Sequence, residues 1–121
     1  MIKAHVVEYL DDEYTEAIVE IVNDNISLLA YSYPYTEPLE NGDCLLTCFC
    51  ATNIQTVKYF HTPLHTNPDA FDYRLVGEVV SAEDRIVKIG DIKVYLDVPL
   101  PKDVLNGEYV SFDVIRLDYN T

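Results

Sequence analysis

The chain has 121 residues, and its 21 Asp and Glu against 8 Lys and Arg give a formal net charge of −13. Hydrophobic residues make up 49% of it, too many for a disordered acidic tail, so we predict one folded domain over residues 1–121. A domain this negative repels nucleic acid and anionic membranes. The composition therefore argues against direct nucleic-acid binding and membrane association, and it predicts a basic protein surface as the partner.

The acidic residues concentrate in the first third of the chain. Residues 1–43 carry ten acids and one base, residues 44–71 carry one of each, and residues 72–121 carry ten acids and six bases. No signal peptide or membrane-spanning run is visible. Three clustered cysteines are typical of reduced thiols rather than of a disulfide framework. These features together predict a cytoplasmic protein.

Short β-branched and aromatic runs separated by turn residues predict strands in the first half. The predicted strands there cover residues 2–9, 14–22, 26–33 and 44–52. Two-residue alternation in 14–22 places Glu16 and Glu20 on the solvent side. Residues 44–52 are apolar on both faces and predict a central, covered strand. Residues 53–61 fit a helical face and an alternating strand equally well.

The second half shows the strand pattern more cleanly. Its predicted strands cover residues 73–81, 85–89, 92–97 and 109–117. Residues 101–106 predict a short helical turn, because a proline stands early and a glycine follows the end. The loop 62–72 contains two prolines and is the candidate linker of a weak subdivision into 1–61 and 73–121.

The order of these elements predicts the fold class. Strands, two hairpins, a short helical turn and a closing strand resemble the pattern of a small barrel, OB-like or SH3-like. We therefore predict an all-β, partly open barrel. A faint repeat between residues 38–46 and 99–112 leaves two fused barrel-like β units, with one or two short helical turns, as the alternative.

One group of residues matches a metal-site spacing. Two cysteines and two histidines have the spacing of a zinc finger: Cys44, Cys48, His61 and His65. Pro63 stands between the histidines and opposes the helix that a finger needs. The weak candidates for another metal or thiol site are Cys48, Cys50, His61 and His65. Apolar neighbours keep such thiols protonated, so we predict no cofactor, no catalytic residue and a non-enzymatic protein.

Tyrosines form the second notable pattern, since three alternate at the end of the acidic hairpin and just beyond it. Tyrosine is a favoured interface anchor. We predict an acidic inhibitor, immunity or anti-defence protein that occupies a basic partner surface, with nucleic-acid mimicry as one form of that role. The predicted contact residues are Glu8, Asp11, Asp12, Glu13, Glu16, Glu20, Tyr31, Tyr33 and Tyr35. The alternatives are an assembly subunit of a phage or secretion machine and a zinc or thiol protein; the oligomeric state stays open.

Overall fold

The computed structural model describes residues 2–13, 15–33, 45–65 and 71–119, which contain β-strands and no helix. The strands are β1 (Ile2–Tyr9), β2 (Ala17–Asn23), β3 (Ile26–Ser32), β4 (Leu45–Phe49), β5 (Thr52–Val57), β6 (Leu64–His65), β7 (Tyr73–Ser81), β8 (Ile86–Ile89), β9 (Ile92–Tyr95), β10 (Tyr109–Val114) and β11 (Arg116–Tyr119). The all-β prediction is therefore confirmed. Within this described part of the chain, no helix has the length and hydrophobicity needed to cross a membrane.

All eleven strands belong to one sheet, with the order β1-β2-β3-β11-β4-β9-β8-β7-β10-β5 and β6 added beside β7. The contacts of β11 with β3 and of β4 with β9 are parallel, and the other pairings are antiparallel. The sheet ends at β1 and β5, so it is open, and the predicted OB-like or SH3-like barrel is not confirmed. Strands from 1–61 and 73–121 are interleaved, because β11 lies between β3 and β4.

The open sheet folds over so that one of its faces encloses the core. The Leu29 amide on β3 donates to the Tyr73 hydroxyl on β7 at 2.8 Å. At the hairpin ends, the Asp91 amide donates to Asn23 Oδ1 at 3.0 Å. Gly90 has a φ of +61°, and a Cβ there would lie only 2.6 Å from Asn23 Oδ1. The β2–β3 turn therefore packs directly against the β8–β9 turn.

The predicted strand over residues 44–52 is shorter than the pattern indicated. It ends at Phe49, because Cys50 turns the chain with a φ of +58°. The Asp97 carboxylate holds this turn by accepting hydrogen bonds from the amides of Cys50 at 3.1 Å and Ala51 at 3.0 Å. Phe49 and Cys50 are exposed, so this segment is not covered on both faces as predicted.

The structure decides three further local predictions. Residues 53–61 contain most of β5 and no helix, which resolves their ambiguity in favour of a strand. The helical turn predicted over 101–106 is wrong: one hydrogen bond, from the Val104 amide to the Pro101 carbonyl at 3.1 Å, closes a simple turn. The predicted strand 109–117 is divided at Ile115 into β10 and β11. The first copy of the internal repeat falls largely outside the described residues.

Candidate interaction surface on the first three strands

Strand register gathers several of the predicted contact residues on one side of the sheet. Glu8 on β1 lies opposite Ile18 on β2, which lies opposite Tyr31 on β3. Paired residues share a face, and two-residue alternation adds Glu16 and Glu20 to the same face. The intervening positions of β2 are buried in the core: Ala17, Val19 and Ile21. We call this side, with Glu8, Glu16, Glu20 and Tyr31, the outer face; by the same register it also carries Lys3 and His5.

The acids of the β1–β2 turn divide into two kinds. Asp11 accepts hydrogen bonds from the amides of Thr15 at 2.8 Å and Glu16 at 3.0 Å, and also from the Thr15 hydroxyl. These bonds hold the pKa of Asp11 below its ordinary value, and the bond from the Glu16 amide has the largest effect. Asp12 and Glu13 are exposed. Asp11 therefore shapes the turn, and Asp12 and Glu13 present their charge to solvent.

We expect Asp11→Asn to lower the free energy of unfolding at neutral pH. A carboxyl whose folded pKa lies below its unfolded pKa stabilises the fold above the unfolded value, and this contribution is lost as the pH falls through the folded value. The difference between wild type and variant should therefore be constant from neutral pH to about 5 and shrink below about 4. Urea titrations over a pH series measure it. A difference that stays constant to the acid limit would contradict this role.

The acids near the outer face are little neutralised by the chain's own bases. Glu20 Oε1 lies 3.0 Å from His5 Nε2, and Glu20 Oε2 accepts a hydrogen bond from the Ser27 hydroxyl at 2.7 Å. Among the described residues, no Lys or Arg side chain forms an ion pair with an acid of residues 2–33. Two Lys and Arg ion pairs lie elsewhere, Arg74–Asp113 and Lys88–Glu78, and a third, Arg116–Asp118, lies beside Tyr31. Glu8 and Glu16 therefore have no paired Lys or Arg, whereas Glu20 is paired with His5 and Lys3 lies on the same face.

An arginine between two aromatic rings adjoins the outer face. The Arg116 guanidinium carbon lies 4.7 Å from the centre of the Tyr31 ring and 5.0 Å from that of Phe49. Arg116 Nε also donates to Asp118 Oδ1 at 2.7 Å. Burial, and then the Glu16 charge, raise the pKa of Tyr31. The Tyr31 ring is thus held in place, as an interface anchor must be if little entropy is to be lost on binding.

The other two predicted tyrosines differ in their placement. Tyr33 follows the end of β3 and is 61% exposed. Tyr35 lies outside the described residues. Sequence reasoning missed Arg116 and Phe49, because β11 reaches β3 and β4 from the far end of the chain and nothing local signals that contact.

The four weak metal candidates do not form a common site. Cys48 is buried on β4, Cys50 is exposed in the next turn, and His61 is exposed with Nδ1 at 2.8 Å from the Thr62 carbonyl. His65 packs against the Tyr73 ring at 4.4 Å between centres. No group of three or more His, Cys, Asp or Glu side chains is placed to hold a metal ion in the residues that the structure describes. Cys44 lies outside those residues.

The two described thiols are expected to differ sharply in reactivity. Burial, with smaller contributions from the Asp97 and Asp118 charges, raises the pKa of the Cys48 thiol. In a Cys44→Ser background, a water-soluble disulfide reagent should label Cys50 rapidly and Cys48 only on unfolding, because the thiolate is the reactive form. Mass spectrometry of peptides from the native protein assigns the label. Equal labelling of both cysteines under native conditions would contradict the burial of the Cys48 side chain on β4.

A second polar region lies on β5, β7 and β10. A groove of about 420 Å³ is lined by Asn53, Ile54, Gln55, Arg74, Ser111 and Asp113. Arg74 Nε donates to Asp113 Oδ1 at 2.9 Å, and Asn53 Nδ2 donates to Asp113 Oδ2 at 2.9 Å. These contacts lower the pKa of Asp113, and the hydrogen bond from Arg74 has the largest effect. Because the guanidinium and the carboxylate neutralise each other, this groove lacks the uncompensated charge of the outer face.

Comparisons with known proteins add no relative. The chain matches no protein-family model, no curated protein and no solved structure.

Proposed function

We propose that this chain is a non-enzymatic binding protein whose outer face occupies a basic surface on a partner protein. One observation carries the proposal: Glu8, Glu16 and Glu20 share a face with Tyr31, and no Lys or Arg side chain pairs with them in the described part of the chain. Asp12 and Glu13 extend the negative charge around the adjoining turn.

The physical consequence of this arrangement is steered association. Carboxylates that no Lys or Arg neutralises raise the rate of encounter with a cationic surface, and the effect falls as salt screens the charges. Tyr31, held against Arg116, supplies a rigid aromatic contact, and the exposed Tyr33 ring adds apolar area. A basic cleft that otherwise binds nucleic acid has the matching chemistry. We therefore infer an inhibitor, immunity or anti-defence role in which the chain blocks such a cleft.

Capture from host lysate at low and high ionic strength tests the proposal. The immobilised chain should retain a basic protein at low salt and release it at high salt, and that protein should bind nucleic acid less well in the presence of the chain. Light scattering on the free chain serves as the control for the assembly alternative. A stable homo-oligomer with no salt-sensitive basic partner would favour an assembly subunit and contradict the proposal.

A further inference from the structure

A groove of about 300 Å³ lies over β10, β7 and β8 and combines aromatic rings with one ion pair. Its lining residues are Ile26, Phe60, Glu78, Lys88, Gly90 and Tyr109. Strand register sets three of them in one row, because Tyr109 pairs with Glu78 and Glu78 pairs with Lys88. The residues on either side of Glu78 in β7 are buried, so this row points away from the core.

The polar end of the groove is an ion pair that is too long for a hydrogen bond. Lys88 Nζ lies 3.8 Å from Glu78 Oε1, whereas a hydrogen bond between such atoms spans about 2.7–3.2 Å. Both side chains are partly exposed. In the part of the chain that the structure describes, neither side chain forms a hydrogen bond. Two acceptor oxygens and an adjacent donor are therefore presented along one edge of the groove.

The apolar wall of the groove consists of two aromatic rings. The centres of the Phe60 and Tyr109 rings lie 6.5 Å apart, and the rings are inclined by 44°. Because they are not parallel, a flat ligand that stacks on Tyr109 meets Phe60 at an edge, and both arrangements are favourable for aromatic pairs. A ligand stacked on Tyr109 directs one edge toward Glu78, which is directly opposite on the neighbouring strand.

The order of donors and acceptors at the polar end selects among flat ligands. A carboxylate accepts two parallel N–H bonds, and the ammonium beside it donates one. The complementary ligand edge therefore has two N–H donors followed by one acceptor. Guanine has this order in its N2–H, N1–H and O6 groups, whereas adenine, cytosine and uracil each have an acceptor in place of one of the two donors.

We propose that this groove binds a guanine base. Glu78 accepts from N1–H and N2–H, Lys88 donates to O6, and Tyr109 stacks on the ring. The volume lies at the lower end of small-molecule sites, which span about 300–1,000 Å³. A neutral nucleoside suits the chain better than a phosphorylated one, since the net charge of −13 repels phosphate. The inference is independent of the proposed function, because no residue of the outer face lines the groove.

Nucleosides that differ at the base edge test the inference on the wild-type chain. Guanosine, inosine and adenosine are titrated into the isotope-labelled chain, and amide chemical shifts give the affinity and the site. Inosine lacks only the 2-amino group, so we expect it to bind about tenfold more weakly, the cost of one hydrogen bond to a charged group. Adenosine has an acceptor in place of N1–H and should show no saturable binding.

A conservative variant tests the role of the carboxylate. Glu78→Gln keeps the size of the side chain but sets an amide against the two N–H donors, so we expect it to weaken guanosine binding by about tenfold or more. Glu83→Gln in the β7–β8 turn is the matched control, since it removes the same charge outside the groove. The control should change the affinity by no more than about twofold. Circular dichroism checks that both variants are folded.

The outcomes decide the inference in both directions. A preference for guanosine, with the largest shifts at Tyr109, Glu78 and Lys88, supports it. The absence of saturable shifts with guanosine overturns it. Equal affinity for guanosine and adenosine, or unchanged affinity in Glu78→Gln, also overturns it, because stacking alone would then explain binding. The nucleotide 5′-GMP carries the same base edge: weaker binding than guanosine supports the neutral ligand, and tighter binding overturns that part of the inference.

Discussion

Replacing Phe112 with alanine is expected to lower the free energy of unfolding by about 3–5 kcal/mol. Phe112 lies on β10, opposite Leu75 on β7, and its side chain is 0% exposed. The loss has two parts: the transfer free energy of the removed ring, and the cavity that a sheet fixed by strand pairing on both sides closes only in part. Urea unfolding followed by circular dichroism measures the change.

Leu105→Ala is the matched control, because Leu105 is also a large apolar residue but is 67% exposed. We expect this control to change the unfolding free energy by no more than about 0.5 kcal/mol. If Phe112→Ala lowered the free energy of unfolding by less than about 1 kcal/mol, the burial of Phe112 in an enclosed core would be contradicted.

Reversing three exposed acids beside the outer face is expected to slow association with a basic partner by about tenfold or more. The variant is Glu8→Lys with Asp12→Lys and Glu13→Lys. Asp11 is left unchanged because it shapes the turn through Thr15 and Glu16. Surface plasmon resonance with an immobilised peptide of alternating Lys and Val, as a model basic surface, gives the association rate. The dissociation rate should change less, since long-range charge acts mainly on encounter.

The control for this variant reverses three exposed acids elsewhere: Glu83→Lys, Asp84→Lys and Asp103→Lys. These residues lie in the β7–β8 turn and the β9–β10 connection, which the hydrogen bond from the Ala82 amide to Asn106 Oδ1 at 2.8 Å holds together. Both variants change the net charge equally. The control should slow association by no more than roughly twofold, because screened distant charges contribute little. Equal slowing of association by both variants would mean that the net charge, and not the position of the acids, sets the association rate.

Local sequence features predicted the hairpins and the orientation of their side chains. β1 and β7 have the predicted bounds, since runs of β-branched residues end there at clear turn residues. Alternation placed Glu16 and Glu20 opposite the buried positions of β2. Asp24, in the predicted β2–β3 turn, has a φ of +53°, a conformation that Asp tolerates. These predictions depend only on neighbours in the chain.

Features that depend on distant contacts were not predictable in this way. Asp97 fixes the turn at Cys50 from more than forty residues away, and no glycine signals the positive φ there. The parallel contact of β11 with β3 places Arg116 against Tyr31. The Tyr73 hydroxyl reaches across the core to β3. Each contact joins segments whose relation is set by the topology of the whole sheet rather than by local pattern.

Chemical-shift mapping of the isotope-labelled chain with its captured basic partner tests the central claim most directly. We predict that the largest amide shifts fall on the outer face and the adjoining turn, at Glu8, Asp12, Glu13, Glu16, Glu20, Tyr31 and Tyr33. Shifts concentrated instead around the groove of Arg74 and Asp113, with β1, β2 and β3 unperturbed, would contradict the claim that the partner binds the acidic side of the sheet.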